Sequence, residues 1–340
     1  MSQRYVLVGL LVLVAACRGG GNPAGDDDPV VDAAVDAPGP GCTAMSPRTV
    51  APETFVGPSG LQARITSMID GAQTSLDLHM YLFTMRPIAD RIVAAKNRGV
   101  AVRVILDPDH EGNANVRPTL TNGGVPTRNA SSIYSFSHAK YMIIDGTRGV
   151  IMSMNFNFDA MDRERNYGMV TRDADDIDDL QAIFDMDWAA GGGEAPTPAD
   201  LACTRLIVSP NNARQRLLEL INSATETLEV EVMYLSETTV RNAVGMAKQR
   251  GVNVRVLLSE RSDESVPYLK GLGIPVKFAP SSFYLHSKLI VADGVVFVGS
   301  ENMSLTSLTK NREVGALVFE PAAAQVISSQ FESDWSAAVE

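Results

Sequence analysis

Two short strings in this chain carry the residue types that can work on a phosphate. His138-Ala139-Lys140 leads to Asp145 and then Ser153-Met154-Asn155, while His286-Ser287-Lys288 leads to Asp293 and then Gly299-Ser300-Glu301-Asn302. In both, Lys follows His by two residues and Asp follows Lys by five. Side chains two apart on an extended strand leave the same face, so each string can aim an imidazole and an ammonium at one point. A phosphodiester is an anion with a poor leaving group. Cleaving it takes donors on the non-bridging oxygens, an attacking atom and a proton for the departing alkoxide. Two imidazoles that titrate near neutrality can divide the last two tasks. Lys140 and Lys288 would hold the phosphoryl oxygens as point charges. Ser153, Asn155, Ser300 and Asn302 would add neutral donors in the transition state. With two ammoniums neutralising the charge, the chemistry calls for no metal and no cofactor.

The elements that must position these strings are themselves repeated. Ser75-Leu76-Asp77 through Met80-Tyr81-Leu82 resembles Thr227-Leu228-Glu229 through Met233-Tyr234-Leu235, and Gly99 to Val104 recurs as Gly251 to Val256. Phe184-Asp185-Met186-Asp187-Trp188 recurs as Phe331-Glu332-Ser333-Asp334-Trp335, in the same order. The offset of about 150 residues is far longer than a solenoid unit and indicates one duplicated domain. Each half reads as a strand (75–83), a helix (86–98), a strand (100–106), the His-Lys strand (136–145), a short strand (149–153) and a closing amphipathic helix (174–190). Such alternation predicts α/β layers with apolar strands under helices on both faces. Gly191-Gly192-Gly193 begins the joint. The expected organisation is a first domain over 48–190, a linker over 191–203 and a second domain over 204–340.

The paired motifs resemble the His-x-Lys-x4-Asp signatures of the phospholipase D superfamily, and the similarity spans about residues 55–338. The resemblance implies two duplicated α-β-α sandwich domains about a pseudo-twofold axis with one shared active site. It also implies catalysis by His138, Lys140, His286, Lys288 and Glu313 through a phosphohistidine, with one histidine attacking and the other serving as general acid. The second copy matches fully, Glu313 of Asn311-Arg312-Glu313 standing in the place of the family carboxylate that orients a histidine. The first copy departs: Met152 replaces the Gly after one extra residue, and Asn166 falls where Glu313 lies. Precedent in the family makes His138 the nucleophile. A pairing of Glu313 with His286 would suit His286 as the protonated acid. Asp145 and Asp293 each precede a Gly between apolar runs, a hairpin signal, so they are read with Asn166 as supporting or turn residues. His79, Trp188 and Trp335 are read as packing and His110 as a loop residue. The acidic run Asp173 to Asp179 is read as a helix start and solvated face.

Residues 1–17 look like an export signal whose apolar run Val6 to Val14 is too short to span a bilayer. Val14-Ala15-Ala16-Cys17 resembles a bacterial lipobox, which would make Cys17 a lipidation site. Residues 18–47, rich in Gly, Pro, Ala and Asp, read as a flexible tether. Export favours a disulfide between the remaining cysteines, Cys42 and Cys203. The expected location is the cell envelope, lipid-anchored, with function as a monomer. Net charge is −11, and −8 without residues 1–47, which disfavours nucleic acid as a general partner. The expectation is therefore a metal-independent phosphodiesterase that hydrolyses phospholipid headgroups or transphosphatidylates. A cardiolipin synthase-like transferase and an envelope nuclease are the alternatives, and a non-catalytic scaffold is the reading from outside enzymology. The loops 108–135 and 259–284, where the halves differ most, are expected to line the acceptor pocket.

Overall fold

The computed structural model describes residues 46–340. Cys17 and Cys42, with the signal and most of the tether, lie outside them, and Cys203 is disulfide-bonded. The first half supplies β1 (Glu53–Gly57), β2 (Ser75–Met80), β3 (Ala101–Leu106), β4 (Thr127–Asn129), β5 (Lys140–Ile144), β6 (Arg148–Met152) and β7 (Glu164–Thr171). The second supplies β8 (Leu206–Ser209), β9 (Thr227–Val232), β10 (Asn253–Leu258), β11 (Val276–Phe278), β12 (Tyr284–Leu285), β13 (Lys288–Ala292), β14 (Val295–Gly299) and β15 (Glu313–Val318). The main strands run β1-β7-β6-β5-β2-β3-β4 in one sheet and β8-β15-β14-β13-β9-β10-β11 in the other, the same topology twice. The fold is thus a duplicated α/β sandwich, as the repeat predicts.

The strands β5 and β13 are buried along their whole length, in keeping with continuous apolar runs covered on both faces. The outer face of each sheet meets the half's own helices, Leu61–Asp70 and Arg86–Asn97 in the first, Ala213–Ser223 and Thr238–Gln249 in the second. The inner faces share one core. Tyr141, Ile151 and Met169 of the first sheet join Leu289, Val298 and Val314 of the second, with Phe184 and Phe331 from helices Ala174–Gly191 and Pro321–Ala337. Trp188 stacks on Phe184 and Trp335 on Phe331 at 6.1 and 6.0 Å, and Arg103 and Arg255 lie over the same phenyl rings at 4.8 and 5.0 Å. The two tryptophans are packing residues.

Each half also locks the other. Arg165 of β7 pairs with Asp334 in the second half's last helix at 2.6 Å, and Arg312, just before β15, pairs with Asp187 in the first half's last helix at 3.1 Å. Removing the carboxylate of Asp187 would strand a buried guanidinium, at a cost of about 3–5 kcal/mol. The Phe-x-x-Asp-Trp repeat is therefore an interdomain latch.

The solvated-face reading is corrected here, and Asp145 and Asp293 take the hairpin positions expected of them. Asp176 is buried, bonded by Arg48, Thr171 and Arg205, and Asp173 caps the helix while pairing with Arg205. Those carboxylates are therefore an internal charge network, and the solvated-face reading fails for them. Asp145 and Asp293 sit in hairpin turns with positive φ (56° and 47°) at the far end of β5 and β13 from the histidines. Each carboxylate accepts backbone N–H groups, from Gln73, Thr74 and Ser75 at 2.7–3.2 Å and from Thr225, Glu226 and Thr227 at 2.7–2.9 Å. These bonds hold Asp293 down at about 2 against the opposing effect of burial. Both Asp residues fasten the hairpin to the start of the central strand and do not back the histidines. The extra residue of the first copy lies in this turn: three residues separate β5 from β6, and two separate β13 from β14.

Candidate active site

The histidines precede their strands, and the segment leading to each one crosses to the opposite half. Arg312 N–H donates to the Phe136 carbonyl at 2.9 Å, and Ser137 bridges to Arg312 in parallel. Equivalently, β12 pairs in parallel with the start of β7, matching Tyr284 to Glu164 and Leu285 to Arg165. His286 N–H then donates to the Arg165 carbonyl at 3.2 Å. The consequence is an exchange of partners. His138 Nδ1 meets Glu313 Oε2 at 2.7 Å, and His286 Nδ1 meets Asn166 Oδ1 at 3.0 Å. This overturns the expected pairing of Glu313 with His286. Local spacing placed the carboxylate with the histidine of its own half, but the crossing segments deliver it to the other one.

The hydrogen-bond network fixes both tautomers. Glu313 Oε1 is occupied by the Ser307 hydroxyl and by Asn311 Nδ2 at 2.9 Å, which leaves Oε2 to accept His138 Nδ1–H. Asn166 Nδ2 donates to Glu164 at 3.2 Å and its Oδ1 accepts from Ser153 at 2.8 Å, so the side facing His286 must also accept. Both rings thus carry hydrogen on Nδ1 and present Nε2 to whatever enters between them. Ser153 and Ser300 have a different employment from the one expected. Ser153 Oγ binds Asn166 and accepts Tyr167 N–H at 3.0 Å, and Ser300 Oγ accepts Val314 N–H at 3.1 Å. They hold the partner-bearing strands and do not face a substrate. Asn155 and Asn302 each keep a buried Oδ1 with no protein partner.

The lysines are wholly buried and lean on the histidine segments. Lys140 Nζ donates to the His138 carbonyl at 2.6 Å and Lys288 Nζ to the His286 carbonyl at 2.7 Å, leaving further N–H donors on each ammonium. Lys140 also lies 4.9 Å from the centre of the Tyr81 ring, which packs edge-on to His138. Burial pushes Lys288 down to about 7 and Lys140 well below its ordinary range. Burial also lowers His138 to about 4, against the pull of Glu313. Burial lowers His286 too, with Lys288, Lys140 and His138 adding repulsion. Glu313 stays charged: burial works against it, but His138, Lys140 and Ser307 hold it below the usual carboxylate range. Four cationic groups crowd one spot with few compensating charges, so the empty site sheds protons. An entering phosphate anion would restore them.

Two residues escaped the motif reading. Glu301 is buried with neither carboxyl oxygen hydrogen-bonded, and burial with Glu313 nearby raises it well above the usual range. A Cβ at Gly299 would come within 2.3 Å of its Oε2 and 2.6 Å of Gly315 Cα, and one at Gly315 within 2.5 Å of the Phe297 ring. The first half places Met152 and Met154 in the apolar core instead. Glu164 is the other. It lies on β7 beside Asn166, 3.5 Å from His286 Nδ1, and lines a cavity of about 520 Å³ with Arg163, Glu260, Ser281 and Tyr284. A smaller cavity of about 170 Å³ shares Glu260 and Tyr284 with it. The loop 259–284 thus borders a cavity at the His286 side, whereas 108–135 lines neither. His79 is buried against Ser137 at 2.6 Å and burial lowers it to about 3, and His110 caps a short turn by accepting Gly112 N–H. Neither histidine joins the site.

Two copies of one sandwich that exchange a strand segment and pool two His-Lys pairs define a class. Residues 65–188 and 217–335 match the family described as "Cardiolipin synthase, PLD-like domain", and the chain belongs to the phospholipase D superfamily. It is 25% identical over 228 residues to the probable cardiolipin synthase YwiE of Bacillus subtilis, covering 58% of this chain and 45% of that protein. It is 25% identical over 317 residues to a cardiolipin synthase of Listeria innocua, covering 78% and 65%. The chain therefore spans about half to two-thirds of the length of these curated relatives. Among solved structures, phosphatidylserine synthase of Haemophilus influenzae superposes with a TM-score of 0.63 at 13% identity, over 86% of this chain and 87% of that one. Polyphosphate kinase of Porphyromonas gingivalis does so with 0.64 at 16% identity, over 84% and 50%. At such identities these two likenesses speak for the fold alone.

Proposed function

We propose that this chain transfers a phosphatidyl group from a phospholipid to an alcohol, in the manner of a cardiolipin synthase, through a phosphohistidine on His138. His138 Nε2 attacks phosphorus while His286, protonated on Nε2 as well once the phosphate anion is bound, gives that proton to the departing alkoxide. An acceptor alcohol then loses its proton to His286 as its oxygen displaces His138 Nε2, so both imidazoles return to their starting state. Lys140 and Lys288 balance the charge on the non-bridging oxygens throughout. The observation that carries this reading is the exchanged partnership, His138 with Glu313 at 2.7 Å and His286 with Asn166 at 3.0 Å, which leaves both Nε2 atoms free for phosphorus chemistry.

Transfer is preferred to headgroup hydrolysis because the matched family and the relatives carry cardiolipin synthase names. The cavity beside His286 supports it: Ser281, Tyr284 and Glu164 offer a hydroxylated acceptor polar partners. A phospholipid substrate, a membrane surface and an anchor at Cys17 belong to the same proposal. Among the described residues no helix is long and apolar enough to cross a membrane.

Incubating the purified protein with phosphatidylglycerol vesicles in EDTA tests this. The expected products are a diphosphatidyl lipid and free glycerol. Phosphatidic acid as the sole lipid product would return the protein to hydrolysis, and cleavage of single-stranded DNA without lipid turnover would make it a nuclease.

A further inference from the structure

The two histidine partners sit in mirrored tripeptides. Glu164-Arg165-Asn166 in the first half aligns with Asn311-Arg312-Glu313 in the second, with Gly168 and Gly315 two residues beyond each. Each tripeptide holds one carboxylate and one amide two residues apart, which is the spacing that puts both on one face of an extended chain. The amide donates to its own carboxylate in both, Asn311 to Glu313 at 2.9 Å and Asn166 to Glu164 at 3.2 Å. The arginines between them hold the opposite half's last helix, so both tripeptides are anchored alike. Only the order is reversed. As a result His138 touches the carboxylate directly, whereas His286 touches the amide and has the carboxylate 3.5 Å from Nδ1.

We propose that Glu164 is the positioning carboxylate of His286, supplying through Asn166 and across 3.5 Å the negative charge that the Asn166 position lacks. The inference rests on His286 acting as the general acid and base of the proposed transfer. Everything else facing His286 is cationic or becomes so: Lys288 on its own strand, and Lys140 and His138 from the first half. Glu313 and Glu301 face Lys288 from the second half, but Glu313 is taken up by His138, and burial with Glu313 nearby raises Glu301 well above the usual carboxylate range. Glu164 is therefore the carboxylate placed to favour an imidazolium at His286. Burial raises Glu164 above the usual carboxylate range, while the Asn166 hydrogen bond, Lys288 and Arg163 pull it back toward the charged form. It also lines the cavity beside His286.

The test compares leaving groups in the full chain. Glu164→Gln should slow turnover of phosphatidylglycerol about tenfold and move the alkaline limb of kcat toward acid by about one pH unit. It should slow the first burst of nitrophenolate from bis(p-nitrophenyl) phosphate far less, since nitrophenolate departs without a proton. The double variant E164N/N166E, which gives the first half the order of the second, should restore both rate and limb. Equal slowing of the two esters, or an unmoved limb, would overturn the assignment. Ring-nitrogen NMR of the protein with inorganic phosphate decides the matter independently of turnover. His286 should titrate about one pH unit lower in Glu164→Gln while His138 is unmoved. An unchanged His286 midpoint would sink the idea. Loss of both ester activities in the unaltered protein would instead refute the transfer reading alone.

Discussion

His138 and His286 occupy equivalent places in two copies of one fold, yet one faces a carboxylate and the other an amide. Glu313 can stabilise the positive charge that His138 must carry once phosphorus is attached to Nε2. Asn166 can orient His286 but gives it no fixed countercharge, which suits a ring that must gain and lose a proton in each cycle. The two copies keep the same geometry, and the reversed order of carboxylate and amide on β7 moves the charge away from His286. The lesson is that equivalent motifs need not be equivalent catalysts.

The sharpest way to break this contrast is Glu313→Gln. The Gln carbonyl would be claimed by Ser307 and Asn311, so its NH2 would face His138 and force hydrogen onto Nε2. Turnover should fall by about 10^3–10^4-fold, because the nucleophilic tautomer is lost. A fall no larger than that of the Asn166 variant would mean the two histidines are not specialised. Asn166→Ala removes an orienting acceptor and leaves the nucleophile intact, so the expected loss is about 10^2-fold in kcat. Steady-state kinetics on both esters measures the pair.

Charge makes a smaller but cleaner distinction. With Lys288 near 7 and both histidines lowered, the empty site binds fewer protons at neutral pH than it does around an anion. Binding of inorganic phosphate at pH 7 should therefore take up protons, seen as a heat that varies with buffer ionisation enthalpy. A buffer-independent heat would contradict the lowered values. The same depression acts on stability. Unfolded His138 titrates near 6.5 and folded His138 near 4, so between those values the unfolded chain binds more protons. Stability is full above pH 6.5 and falls as pH drops toward 4, with His79 acting in the same sense. Thermal melts across that window should show it, and His138→Asn should flatten the slope.

Much of this was legible in the residues. The repeated order of Met-Tyr-Leu, Gly-Val-x-Val-Arg-Val and Phe-x-x-Asp-Trp predicts the duplicated sandwich, and the observed strands fall within or near the expected spans. The His-Lys strings are legible because spacing along the chain is a local property, although each histidine lies two residues before its strand and not on it. The exchange of Glu313 to His138 was not legible, because it depends on a parallel pairing between segments far apart in the chain. Glu164 is not legible from single positions, because its carboxylate and the Asn166 amide stand in the reverse order to Asn311 and Glu313. Reading the tripeptide as a carboxylate-amide pair in either order would have found it. Asp176 looked solvated for a related reason: its partners Arg48 and Arg205 lie far from it in sequence.

The central claim is that the exchanged carboxylate makes His138 the nucleophile. Quenching the reaction in alkali during turnover of phosphatidylglycerol, digesting, and locating the acid-labile phosphoryl adduct by mass spectrometry tests it directly. The adduct should lie on the peptide containing His138 and should vanish in Glu313→Gln. An adduct on the peptide containing His286 would contradict it.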